Sequence, residues 1–92
     1  MNASAVVLVE GERSSMQDLP AALAAVPGVT TVYGVTGEWD FVAIVRVPRH
    51  ELLSEVVSGT IGLLPGVIST QTMVAFQAFS DHDLEAMFDV GN

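Results

Sequence analysis

Cysteine is absent from the 92 residues, so neither a disulfide framework nor a thiolate zinc site can form. Lysine is absent as well, and Arg13, Arg46 and Arg49 are scattered rather than gathered in a run. Against them stand eleven acidic residues, for a formal net charge of −8. Phosphate backbones are bound by clustered Lys and Arg, so direct nucleic-acid binding is not expected of this chain. Long apolar runs are missing too: none approaches the roughly 18 residues of a membrane span. The opening "MNASAVVLVEGE" has no basic region, and Ala5 to Val9 is too short for the core of a signal peptide. A soluble, cytoplasmic protein without a membrane partner is the expectation.

What is abundant is apolar side chain. Half of the residues are apolar and 15% are charged, which excludes disorder. The length suits one domain over residues 1–92. A chain this short buries a limited share of its surface alone, so high apolarity without disulfides points to surface covered by a partner.

Ala5 to Glu10 is a β-branched run stopped by Gly11 and reads as a strand. Met16, Leu19, Leu23 and Val26 recur at the helical period, predicting a helix within Ser15 to Val26. Ser15 and Asp18 resemble a capping signal, while Pro20, tolerated only in a first turn, moves the start toward Asp18. Pro27-Gly28 ends that helix. Val29 to Thr36 and Trp39 to Val47 read as two strands joined by a tight connection at Gly37-Glu38. Pro48 suits a helix entry, and Leu52, Leu53, Val56, Val57 and Ile61 share one face of a helix over His50 to Leu64. Pro65-Gly66 stops it, Val67 to Phe79 is a long last strand, and residues 81–90 form a short acidic helix capped by Ser80 or Asp81. The order βαββαβ is the ferredoxin-like plait, an α+β fold with a four-stranded antiparallel sheet and two helices on one face. The repeated Pro-Gly-Val, at residues 27–29 and 65–67, is then one instruction given twice: stop a helix and return to the sheet.

A sheet covered by helices on one face should alternate apolar and polar residues. Here Phe41, Ala43, Val45 and Val47 oppose Val42 and Ile44 with Arg46, and Ala5, Val7 and Val9 oppose Val6 and Leu8. Val74 and Phe76 likewise oppose Met73, Ala75 and Phe79. Two apolar faces need two covers. The second is expected to come from another copy, through an interface of Val6, Leu8, Val42, Ile44 and Arg46 burying on the order of 800 Å² per partner. Arg46 is expected to pair with a carboxylate such as Glu10.

No catalytic constellation stands out. His50 and His82 lack a second histidine at metal-ligand spacing and read as solvated residues. Ser14 and Ser15 read as caps, Glu51 and Glu55 as a solvated helix face, and Met16, Met73 and Met87 as core or interface filler. No metal and no cofactor are called for. The stretch "TGEWD" differs, because Gly37 permits a turn whose amide N–H groups can cradle an anion, with Glu38 and Asp40 beside it and Trp39 as an apolar wall. Such a turn can serve both ends of an α-amino acid; an ordinary hairpin turn with a helpful aspartate explains the same residues.

The ordered set Val35-x-Gly37-x-x-Asp40, Pro65-Gly66-Val67 and Thr70-x-Thr72 resembles the effector-binding (RAM) domain of the Lrp/AsnC, or feast/famine, transcription regulators. The resemblance runs over about residues 5–79. It implies a ferredoxin-like domain that dimerises through its sheets, assembles further into octamers or similar rings, and binds small effectors, usually amino acids, between dimers. Carried over residue by residue, it nominates Gly37, Glu38, Trp39, Asp40, Thr70 and Thr72 as ligand-binding. Full-length members carry an N-terminal helix-turn-helix, whereas this sequence starts at its first strand and resembles a stand-alone RAM-domain protein. The expected function is amino-acid sensing and oligomerisation in transcription regulation, through a full-length Lrp/AsnC regulator as partner and without enzymatic activity. Two alternatives stay open: a dimeric α+β barrel enzyme of the monooxygenase kind, and a ligand-free structural partner of a regulator.

Overall fold

The computed structural model describes residues 2–79. Strand β1 (Ala3–Gly11) leads through a 3-10 turn (Arg13–Ser15) to helix α1 (Leu19–Ala24), then β2 (Val29–Gly34) and β3 (Phe41–Val47). Helix α2 (Glu51–Val57) and a second 3-10 turn (Ile61–Leu63) precede β4 (Val67–Ala75). The sheet order is β2-β3-β1-β4 with every pair antiparallel, so the expected plait forms. The expected helix over residues 81–90 lies outside the described residues.

The core lies between one sheet face and the helices. Val7, Val9, Ala43 and Val45 are buried there against Leu19 and Leu23 of α1, Leu53 and Val57 of α2, and Ile61. Two-residue alternation in β1 and β3 meets the helical period of α1 and α2, and each helix needs few turns to cover its strands. Both Pro-Gly pairs act as read from the sequence, with Gly28 and Gly66 at φ 98° and 94°. At Gly66 the requirement is double. The left-handed backbone disfavours a side chain, and a Cβ would clash with Ser15 where the Gly66 carbonyl accepts the Glu12 N–H at 2.7 Å.

Several boundaries differ from the sequence expectations. Helix α1 is six residues, with Pro20 in its first turn, and neither Ser15 nor Asp18 caps it: Asp18 occupies the N-cap position without a side-chain bond. Helix α2 stops at Val57 rather than Leu64. Ser58-Gly59 are weak helix formers, and the Thr60 hydroxyl donates to the Glu55 carbonyl at 3.3 Å, so the apolar period continues to Ile61 only through a 3-10 turn. Strand β4 ends at Ala75 rather than Phe79. The β2–β3 link is no two-residue turn: six residues, 35–40, connect Gly34 to Phe41.

The expected pairing of Arg46 with Glu10 does not occur within one chain. Arg46 lies opposite Ser4, and Glu10 lies opposite Ser69, six positions along β1. At about 3.4 Å per residue, some 20 Å separate them.

Candidate functional site

The segment 35–40 is held at the Val9–Gly11 end of β1 by Asp40. Its N–H donates to the Val9 carbonyl at 3.0 Å, and its carbonyl accepts the Val35 N–H at 3.0 Å. Its carboxylate accepts the Gly11 N–H at 2.9 Å through Oδ2. Gly37, at φ 111°, supplies the left-handed step that lets so short a segment reverse, with open space where a Cβ would stand. Glu38 is exposed and Trp39 half-buried. Asp40 is thus first a staple between loop and strand, and Glu38 is the carboxylate left facing outward.

Thr70 and Thr72 lie opposite Val9 and Val7, on the helix-facing side of the edge strand β4. Thr70 is at the same end of the sheet as the 35–40 segment, but β1 stands between them, two strand spacings or about 10 Å across. Thr72 is one same-face row further in. A single chain therefore does not bring the loop and both threonines together on one wall.

Thr72 instead lines a groove of about 330 Å³ between α2 and β4, with Leu53, Val57 and Val74 as its apolar floor. His50, Ser54 and Ser58 form its polar rim. From the sequence, His50 reads as a solvated residue and the two serines carry no signal of their own. Their spacing of four was the available signal, since it places imidazole and hydroxyls in one stripe beside the buried Leu53 and Val57. Among the described residues that line the groove, none is a carboxylate that could orient the imidazole.

The sheet face away from the helices is the other candidate surface. Strand register places Met73, Val6, Ile44 and Thr31 in one row and Gln71, Leu8, Val42 and Tyr33 in the next. Val6, Leu8, Val42 and Ile44 are half-buried by their neighbours, while Tyr33 and Met73 are 55% and 46% exposed. The five residues proposed from the sequence as an interface share this face, with Arg46 at its edge.

Among the described residues no helix is long and apolar enough to cross a membrane, and no cluster of His, Cys, Asp and Glu could hold a metal.

Comparison with known proteins gives this geometry its context. The family model for the Lrp/AsnC ligand binding domain matches residues 4–84. The HTH-type transcriptional regulator FL11 of Pyrococcus horikoshii is 30% identical over 77 residues, covering 84% of this chain and 50% of the regulator. The chain spans about half the length of the curated relatives it matches. In structure, TTHA0845 from Thermus thermophilus superposes with a TM-score of 0.80 at 41% identity, covering 85% of this chain and 98% of that one. A feast or famine regulatory protein from M. tuberculosis, complexed with L-methionine, gives a TM-score of 0.70 at 27% identity, covering 86% of this chain and 54% of that one. With the plait, the pinned 35–40 segment and the Thr-x-Thr strand all in place, the chain belongs to the Lrp/AsnC ligand-binding domain family.

Proposed function

We propose that this domain senses an amino acid or a closely related metabolite and acts as a homo-oligomer, without enzymatic chemistry of its own. The observation that carries the reading is the match to a ligand-binding domain over residues 4–84, most of the chain. A relative of the same fold is complexed with L-methionine, which sets the size and class of ligand to try first. The ligand site is built from Gly37, Glu38, Trp39, Asp40, Thr70 and Thr72. Because β1 separates the loop from the threonines in one chain, the two halves come from neighbouring subunits, and ligand binding is coupled to assembly. The pairing unit is a dimer through Val6, Leu8, Val42, Ile44 and Arg46, the apolar face that the helices leave open. Dimers assemble further to build the site. Where transcription is affected, the DNA reader comes from a partner, with a full-length regulator of the family as the natural candidate.

The test is a thermal-shift screen of the protein against the amino acids at millimolar concentration. A ligand that binds only the folded, assembled state raises the melting temperature by mass action. At least one amino acid is expected to do so, and Glu38→Gln and Thr72→Val each to abolish the shift while leaving the ligand-free melting temperature unchanged. A flat screen would sink the sensing reading.

A further inference from the structure

The strand positions on the open sheet face are apolar or neutral except for two. β1 presents Ser4, Val6, Leu8 and Glu10 there, β3 presents Val42, Ile44 and Arg46, and β4 presents Ser69, Gln71, Met73 and Ala75. Thr31 and Tyr33 complete the face from β2. One acid and one base therefore mark its two ends, about 20 Å apart along neighbouring strands. Asp40 reinforces the acidic end, where its carboxylate meets the Gly11 N–H.

A two-fold axis relating two sheets packed face to face lies within the interface, so its direction decides which ends meet. If it runs along the strands, Arg46 faces Arg46 and Glu10 faces Glu10. If it runs across them, each end meets the opposite end of the other copy, and symmetry makes the favourable contact twice. Like charges placed opposite each other are a strong determinant against a register.

We infer that the dimer packs with its axis across the strands, so that Arg46 of each copy pairs with Glu10 of the partner subunit. The inference rests on the sheet-face dimer proposed above and sets its orientation. Facing sheets stand about 10 Å apart and neighbouring strands about 4.8 Å, a gap that an arginine and a glutamate reach across from opposite sides. Both ends are prepared. Glu10 is oriented by the Ser69 hydroxyl, which donates to its Oε1 at 2.8 Å and leaves the other oxygen free to accept. Arg46 is exposed beside a cleft of about 190 Å³ that Asn2, Ser4, Ala75 and Phe76 also line, with room for an incoming carboxylate. The guanidinium fork suits that carboxylate.

The experiment is sedimentation velocity on the full chain and on Arg46→Glu and Glu10→Arg. Each variant alone places like charges at both contacts and is expected to dimerise at least about tenfold more weakly than wild type. The double variant Arg46→Glu/Glu10→Arg regains near-wild-type association, because the exchange restores one acid and one base to every contact, whereas an axis along the strands would leave like charges opposed in it as in wild type. The neutral variants Arg46→Gln and Glu10→Gln, which remove a charge without introducing its opposite, lose only a few-fold and guard against a folding defect, checked by circular dichroism. A wild-type dimer that the single variants do not weaken, or whose double variant associates no better than the single ones, overturns the orientation while leaving the sheet-face dimer standing. A wild-type monomer at micromolar concentration overturns both.

Discussion

Asp40 staples the fold at the edge of the proposed ligand site. Its carboxylate takes the Gly11 N–H, and its own backbone bonds Val9 and Val35. Asp40→Ala leaves that part-buried N–H without its acceptor, at about 1 kcal/mol. In a domain of this size this lowers the melting temperature by roughly 4–8 °C in the absence of any ligand. Asp40→Asn keeps an oxygen acceptor and should recover most of the loss. An unchanged ligand-free melting temperature in Asp40→Ala would refute the staple. From the sequence, the acid after Gly37 and Trp39 was legible as a special turn, with a ligand wall and an ordinary turn with a helpful aspartate both open. The partner of its carboxylate was not legible, because Gly11 lies 29 residues away and is met only across the strand ladder.

At the scale of elements, the short helices are held by what they bury rather than by their own propensity. Helix α1 has six residues, fewer than an isolated helix needs, and Leu19 and Leu23 are its buried side chains. Leu23→Ala should cost about 2–5 kcal/mol in urea unfolding, against about 0.5–1 kcal/mol for Ala21→Gly on the exposed side of the same helix. Similar losses at the two positions would contradict the packing account. The order of elements and their buried residues followed from periodicity: Leu19, Leu23 and Val26 lie in the core as their spacing indicates. Element ends did not follow. The apolar period ran on through Ile61, but Ser58-Gly59-Thr60 lets the chain turn there, and Ile61 reaches the core from a 3-10 turn. A hydrophobic pattern reports which residues are inside, not which hydrogen-bond ladder carries them there.

At the scale of the molecule, the sheet has a covered face and an open one. Val6, Leu8, Val42 and Ile44 form a continuous apolar centre on the open face, flanked by Tyr33 and Met73. A surface of this kind on so small a domain suits the sheet-face dimer proposed above. Ile44→Asp puts a charge at the middle of that centre. Native mass spectrometry is expected to show wild type as a dimer or a multiple of it and the variant as monomer, with the far-UV circular dichroism unchanged. If the variant assembles like wild type, copies meet elsewhere.

The sequence by itself determined the plait, both Pro-Gly stops, the two apolar faces of the sheet and the residues of the family's motifs. These depend on local propensity and short-period patterning, which a linear chain displays directly. The tertiary structure alone decided which face the helices take, that Asp40 is bonded to Gly11, and that within one chain Thr72 lines a groove with His50, away from the loop. It also separated Arg46 from Glu10 within one chain. All four depend on strand register, in which residues distant in sequence become neighbours and residues six apart on one strand end up about 20 Å from each other.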